Sequence, residues 1–243
     1  MRVVTLVQKR FIQWILAVCI MLSSVSLSAQ ALQSVDLFFT RTVEKPTSSD
    51  RSEGEIYYQA DGSLYLKVDE PVNQWMVWSK DNLLVYYPEK NNGYRYLNVR
   101  SKNLPFFDAF ISHYKEDFGL SDLGFTLEGN STRGDTLITK WEPEDKKIKK
   151  VYGKFLLGSY NNRIISAQAY NKQGGLLRES YFSDHIAFNG KYYPRTIRLI
   201  SHIKGQVQTE IVHYSNIQFN VQIPQRIQDF AVPQNANIRE IDL

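Results

Sequence analysis

Histidine is the residue type best suited to acid–base or metal chemistry in this chain of 243 residues, which has four of them. His113, His185, His202 and His213 show no metal-ligand spacing and form no HExxH motif. Asp184 precedes His185 and could pair with it as acid and base, but such neighbours at a strand end are more often surface hydrogen-bonding groups. The histidines therefore predict neither a catalytic centre nor a metal site.

Other catalytic motifs are also absent from the sequence. There is no G-x-S-x-G turn for a serine nucleophile and no G-x-G-x-x-G or Walker loop for phosphates, and the single cysteine is Cys19. Of the function classes that remain, an enzyme has the least support. The sequence predicts a non-enzymatic protein that uses no metal and no cofactor.

The first 31 residues have the pattern of a secretory signal peptide. Lys9 and Arg10 form a basic region, residues 11–22 are apolar, and Ala29-Gln30-Ala31 is a small-x-small cleavage site. We expect cleavage near residue 31 and a soluble, monomeric product in the periplasm of a Gram-negative bacterium. The rest, residues 32–243, is predicted to be a single domain because it shows no linker, repeat or low-complexity stretch.

A lipid anchor at Cys19 is the alternative. Leu16-Ala17-Val18-Cys19 loosely resembles the motif that precedes a lipidated cysteine. Val18 is large for the position before that cysteine, and residues 20–22 continue the apolar run where a lipoprotein would turn polar. These features favour cleavage over lipidation.

The charge balance argues against a nucleic-acid partner. The formal net charge of the whole chain is +4, but Arg2, Lys9 and Arg10 lie in the predicted signal peptide, which contains no acidic residue. The mature chain is therefore close to neutral and lacks the excess of cations that binding to phosphate backbones requires.

The elements that would position any site are mostly β-strands. Leu64, Leu66 and Val68 alternate with Tyr65 and Lys67, as in a strand with one buried face. Similar segments follow at regular spacing and are separated by Gly- and Asn-rich turns, whereas residues 45–53 look like a polar loop. The pattern predicts a mainly β fold, with a single curved antiparallel sheet that forms an unclosed barrel. The predicted strands are 35–43, 64–68, 75–77, 84–87, 94–99, 136–141, 150–157, 163–170, 177–183, 192–203 and 206–214.

One segment has helical periodicity instead. Pro105 can occupy a first helical turn, and apolar residues then recur every three or four positions up to residue 118. We expect an amphipathic helix over 105–118 that plugs or lids the open side of the sheet. Its apolar face would consist of Phe107, Phe110, Ile111, Tyr114 and Phe118.

The apolar strand residues could close the interior as a solid core, or they could line a cavity for acyl chains. The residue pattern by itself leaves both possibilities open. The candidate lipid-binding residues are Leu64, Leu66, Val68, Trp75, Val77, Leu84 and Tyr86.

Three segments resemble the periplasmic lipoprotein carriers of the LolA family. Residues 54–71 are similar to its strand–turn–strand ending in Glu-Pro, residues 79–88 to its short turn and aromatic strand ending at Pro, and residues 230–238 to its closing Phe-x-x-Pro segment. The resemblance implies an unclosed barrel lidded by helices, with a cavity that carries lipoprotein acyl chains toward the outer membrane. It also implies an inner-membrane release complex and an outer-membrane acceptor as partners.

The chain departs from that family at three points. An arginine that helps to hold the lid in the family corresponds to Ala60, so we expect apolar contact alone to hold the helix over 105–118. The family's long first helix has no counterpart, and the C-terminal half is longer. The resemblance therefore implies a divergent carrier of lipoproteins or other lipids. The alternative is a non-enzymatic interaction module of the cell envelope with a filled β core.

Overall fold

A computed structural model describes residues 31–79, 81–99, 105–203 and 205–242 of the protein. The predicted signal peptide, except for Ala31, and Cys19 lie outside the described residues. Residues 32–243 form one compact unit. Its strands are β1 (Ser34–Lys45), β2 (Ser48–Gln59), β3 (Leu64–Glu70), β4 (Gln74–Ser79), β5 (Asn82–Tyr87), β6 (Asn92–Leu97), β7 (Phe125–Arg133), β8 (Thr136–Pro143), β9 (Tyr152–Tyr160), β10 (Arg163–Asn171), β11 (Leu176–Phe188), β12 (Lys191–Ile203), β13 (Gln206–Phe219) and β14 (Asn237–Asp242).

All of these strands belong to a single sheet with the order β14-β6-β5-β4-β3-β2-β1-β13-β12-β11-β10-β9-β8-β7. Consecutive strands pair within two antiparallel meanders, β1–β6 and β7–β13, and the pairing of β1 with β13 joins the two. The edges β14 and β7 do not pair with each other, which confirms the predicted mainly β, unclosed sheet. One pair differs from the prediction, because β14 lies parallel to β6.

The polar segment 45–53 is not a loop, as the sequence suggested. Ser48 begins β2, and residues 48–53 pair with β1 in continuous register. The side chains at 48–51 are exposed, so they show no alternation of apolar and polar residues. The backbone hydrogen bonds to β1 hold this part of the strand without burial of its side chains.

The two faces of the sheet are covered differently. The inner face carries the helix α1 (Pro105–Ser112) and the main hydrophobic core, which runs across both meanders. The outer face of β2–β5 is covered by the short helix α2 (Gln225–Gln228) and the residues after it. Opposite residues in a sheet share a face, so the pairing register assigns each strand residue to one side or the other.

The helix over 105–118 is shorter than predicted. It ends at Ser112, and residues 113–124 continue as turns. Phe118 has a left-handed φ of +59°, which an α-helix does not contain. Asp117 stabilises the turn there, because its carboxylate accepts hydrogen bonds from the backbone N–H groups of Gly119 and Ser121 at 2.9 and 3.0 Å. We call residues 105–124 the covering segment.

Candidate functional site

The seven candidate lipid-binding residues lie on two different faces of the sheet. Leu64, Leu66 and Val68 are buried on the inner face, in the core that α1 also contacts. They pair across β3–β4 with Trp78, Met76 and Gln74. These three residues are therefore part of the packed interior of the first meander.

The other four candidates face outward. Trp75 lies opposite Lys67 and Tyr86, and Val77 lies opposite Tyr65 and Leu84. These four residues therefore lie on the face opposite to Leu64, Leu66 and Val68. The structure thus does not bring all seven together around one cavity.

The C-terminal segment explains why outward residues of β4 are apolar. The ring of Trp75 stacks on that of Phe230, with centroids 4.5 Å apart and planes at 19°. Trp75 and Tyr65 also pack against a buried cluster of Tyr57, Ile223 and Ile227. The outer face here is a second small core.

Two adjoining cavities occupy the inner face of the second meander instead. Their volumes are about 230 and 390 Å³, close to the lower end of the range of about 300–1,000 Å³ for small-molecule sites. Both are lined mostly by apolar side chains. The residues that they share are Leu120, Leu123, Phe155, Ala169 and Arg178.

Small side chains on β10–β12 make room for these cavities. Ala167 lies opposite Ser180, and Ala169 lies opposite Arg178, which in turn lies opposite Ser201. Alanine and serine leave space where the inner face of the first meander carries larger aliphatic side chains. The sheet surface that faces the covering segment is therefore recessed at these positions, and the two cavities lie between that surface and the segment. We call this recessed surface the floor of the cavities.

The covering segment forms the opposite wall. Asp108, Ala109 and Ser112 of α1 line the first cavity, and Leu120 and Leu123 of the following turns line both. Leu120 is 1% exposed, whereas Leu123 is 59% exposed. The covering segment therefore extends from the buried core to the surface. At its exposed end, the apolar side chain of Leu123 lies at the opening of the cavities.

The predicted apolar face of the helix is largely buried. Phe107 and Phe110 are in the core, Ile111 and Phe118 pack against it, and Tyr114 is exposed. The ring of Phe110 contacts those of Phe107, Tyr193, Tyr214 and Phe219 at centroid distances of 4.9–6.5 Å. Aromatic packing therefore anchors α1 on the junction of the two meanders.

Apolar contact is not the only force that holds α1. The hydroxyl of Tyr214 donates a buried hydrogen bond of 2.7 Å to the carbonyl oxygen of Phe106. Arg41 lies over the Phe106 ring at 5.5 Å and forms a two-point ion pair with Glu210, with N–O distances of 2.8 and 3.1 Å. Ala60 itself is an exposed turn residue whose N–H donates to the carbonyl of Gln33. The start of the helix is thus fixed by polar contacts that the sequence did not indicate.

His113 supports the other end of α1. Its ring packs edge-on against Phe182 and Phe118 at 4.5 and 5.2 Å, and its Nδ1 lies 2.8 Å from the carbonyl oxygen of Ala109. Its Nε2 is buried without a hydrogen-bond partner. Burial lowers the pKa of His113 to about 4, so the ring is neutral at pH 7.

The described residues contain no group of three or more His, Cys, Asp or Glu side chains that could hold a metal ion. The rings of His113 and His185 lie 6.3 Å apart, but Nε2 of His185 lies 3.0 Å from the carbonyl oxygen of Ile164, and Asp184 forms an ion pair with Arg195 at 3.0 Å. His202 contacts Glu179 at 3.2 Å, and His213 contacts the hydroxyl of Thr196 at 3.0 Å. Among the same residues, no helix has the length and apolarity needed to cross a membrane.

Sequence reasoning missed the floor of the cavities and Arg178. The available signal was weak, because it consists of small residues at alternate positions, Ala167 and Ala169 on β10 and Ser180 on β11. Such residues do not stand out in a search for apolar stripes. Paired strands whose inward positions are all small would have indicated a gap in the core.

No family model matches the chain, and no curated protein matches it in sequence. Solved structures do resemble it. A LolA superfamily protein from Nitrosomonas europaea is 16% identical, with a TM-score of 0.53, and the match covers 81% of this chain and 90% of that one. A DUF1329 family protein from Desulfovibrio piger is 15% identical, with a TM-score of 0.55 and coverage of 82% and 90%.

A third similar structure is an outer-membrane lipoprotein-sorting protein domain from Vibrio parahaemolyticus. It is 14% identical, with a TM-score of 0.52, and the match covers 80% of this chain and 88% of that one. At these identities the likeness concerns the fold. The divergent LolA-like fold expected from the sequence is thereby confirmed.

Proposed function

We propose that this protein is a non-enzymatic carrier that binds acyl chains in the two adjoining cavities under the covering segment. The observation that supports this most directly is the apolar space between residues 105–124 and the small-residue floor of β10–β12. The LolA-like fold is consistent with it. In this proposal the cavities, and not the predicted first-meander residues, receive the chain.

Burial of the chain would provide the binding energy. Each methylene removed from water contributes about 0.8 kcal/mol, so ten methylenes contribute roughly 8 kcal/mol. Ordering of the chain and of the cavity walls offsets part of this. The resulting affinity is suited to a carrier, which has to release its cargo.

The proposed setting is the periplasm, after removal of the signal peptide. The cargo would be lipoproteins or other lipids, delivered toward the outer membrane. An inner-membrane release complex and an outer-membrane acceptor are the proposed partners. The relative described as a lipoprotein-sorting domain supports this assignment without fixing the cargo.

The first test is to purify the protein from the periplasm without detergent and to identify extracted lipids by mass spectrometry. We expect acyl-containing molecules at a substantial fraction of the protein concentration. The alternative, an envelope interaction module with a filled core, predicts none.

A matched pair of variants then locates the site. Ala169→Phe should fill the space shared by both cavities and abolish lipid capture, because there is no room for both the ring and the chain. Ala187→Phe makes the same change at an exposed position of the neighbouring strand β11 and should retain capture. Urea unfolding of both variants checks that they are folded. Equal lipid content in the two folded variants would contradict the proposed site.

A further inference from the structure

Among the described residues, Arg178 is the one cationic residue that lines both cavities. It lies on the inner face of β11, between Ala169 of β10 and Ser201 of β12. Within the described residues it forms no ion pair and no hydrogen bond through its side chain. Arg178 is exposed at the edge of an otherwise mostly apolar site, where Asp108 of the first cavity is the one carboxylate among the lining residues.

The adjacent acid is directed to the opposite face. Glu179 alternates with Arg178 along β11, and its carboxylate accepts hydrogen bonds from the Tyr181 hydroxyl at 2.7 Å and from the Gln168 amide at 3.3 Å. It also lies 3.2 Å from Nε2 of His202. These contacts lower the pKa of Glu179, with the bond from Tyr181 as the largest cause. These two consecutive residues of β11 therefore lie on opposite faces of the sheet. Arg178 is on the face of the cavities, and Glu179 is on the other face.

Other charges near the cavities favour an anion at the second one. Ile148 lines the second cavity and is partly buried, between the exposed pairs Lys146-Lys147 and Lys149-Lys150. Asp145 is held in the same turn by the backbone N–H groups of Lys147 and Ile148. Asp108 lines the first cavity and not the second. An anionic group beside Arg178 is therefore expected on the side of the second cavity.

We propose that the cavities bind a single-chain lipid with an anionic head group, a carboxylate or a phosphate, which pairs with Arg178. The inference rests on the proposed carrier function, because it assigns the ligand class of the same site. The planar guanidinium can donate two parallel hydrogen bonds to either head group. The chain lies along Leu120, Leu123 and Phe155, which both cavities share.

The test compares two probes with the same chain and different charge. Fluorescence titrations with cis-parinaric acid and with its uncharged methyl ester are carried out at pH 7.5. The wild-type protein should bind the acid at least about tenfold more tightly than the ester, as expected for a charge-assisted pair in a mostly apolar site. Arg178→Gln should bring the two affinities within about twofold, because it weakens binding of the acid much more than binding of the ester.

Arg198→Gln is the matched control. Arg198 lies opposite Tyr181 on the outer face of β12 and is exposed. Its replacement by Gln removes the same charge as Arg178→Gln. This variant should keep the wild-type preference for the acid. If both variants reduce the preference equally, the effect is one of net charge and the inference fails.

Competition experiments separate the sources of the anion. Oleate and oleyl phosphate should both displace cis-parinaric acid, and inorganic phosphate at the same concentration should not. Displacement by inorganic phosphate alone would overturn the inference in favour of a free-anion site. If the ester binds but Arg178→Gln leaves the acid-to-ester ratio unchanged, the carrier function stands and the inference falls. If the wild type binds neither probe, both fail.

Discussion

The hydroxyl of Tyr214 on β13 lies 2.7 Å from the carbonyl oxygen of Phe106 in the first turn of α1, and donates a hydrogen bond to it. Tyr214 is also in ring contact with Phe110, one turn further along. A single strand residue thus holds the helix through both a directional bond and aromatic packing. Phe106 precedes the part of α1 that lines the first cavity, so we expect this bond to help keep the cavity covered.

Tyr214→Phe should destabilise the protein by about 1–2 kcal/mol, because it leaves the buried Phe106 carbonyl without its donor while the ring is kept. The same variant should release bound cis-parinaric acid faster than the wild type. Urea unfolding and stopped-flow release measure the two effects. Tyr181→Phe removes an exposed hydroxyl that bonds to Glu179 and should leave the release rate unchanged. An unaltered release rate in folded Tyr214→Phe would show that the bond does not hold the cover.

Phe110→Ala should cost about 3–5 kcal/mol of stability, the usual range for a buried Phe, because its ring is fully buried among four other aromatic rings. It should also weaken retention of lipid, since α1 loses its main anchor. The comparison is Tyr114→Ala, at a position 39% exposed two residues beyond the helix end, which should cost less than about 1 kcal/mol. Thermal and urea unfolding give both values. Equal losses in the two variants would contradict the anchoring role.

Acid should destabilise the protein through His113. Burial lowers its pKa to about 4 in the folded state, against 6.5 for an unperturbed histidine. Between these two values the unfolded chain binds a proton that the folded chain does not, so stability falls as the pH is lowered through this window. The loss is about 3 kcal/mol in total and levels off below about pH 4.

His113→Leu tests this, because the substituted side chain does not titrate. The difference in unfolding free energy between pH 7 and pH 4.5 should shrink in this variant relative to the wild type. His213→Leu, at an exposed position on β13, serves as the control and should keep the wild-type pH dependence. A His113→Leu profile parallel to that of the wild type would rule out the buried ring as the source of the acid sensitivity.

The sequence pattern at residues 1–31 predicts a cleaved, unlipidated product. N-terminal sequencing of protein from the periplasmic fraction should give a start near residue 32. Mass spectrometry of the intact protein should show no added acyl groups. A mature chain that begins at a diacylated Cys19 would instead indicate a membrane-anchored protein.

The alternation of side chains was sufficient to predict most of the sheet from the sequence. Leu64, Leu66 and Val68 are inward as expected, because β3 has an apolar inner face and polar or amphipathic residues on the other. The sides of β4 could not be predicted, because Trp75, Met76, Val77 and Trp78 are all apolar. Their assignment depends on the register with β3 and on Phe230, which is more than 150 residues away.

The site was harder to predict than the fold for a related reason. A cavity is defined by missing volume, and Ala167 and Ala169 give no apolar signal comparable to that of a Leu or Phe stripe. The length of α1 was overestimated because Phe118 continues the helical spacing, although its backbone is left-handed. Its ring reaches the core through a turn instead, and packs against His113 and Phe182. The spacing of the apolar side chains therefore predicted which residues are buried, but it did not predict the backbone conformation after Ser112.

The sheet order has a consequence for the way the chain folds. Each meander is built from neighbouring hairpins and can form as its strands become available, but the β1–β13 pair joins residues that are about 170 positions apart in the sequence. Such distant contacts are slow to form because a long loop has to close first. As the chain is synthesised from its N-terminus, one edge of β1 therefore stays unpaired until nearly the whole protein has been made. During that interval the edge is open to wrong partners, and a chain cut before residue 206 would keep it open permanently.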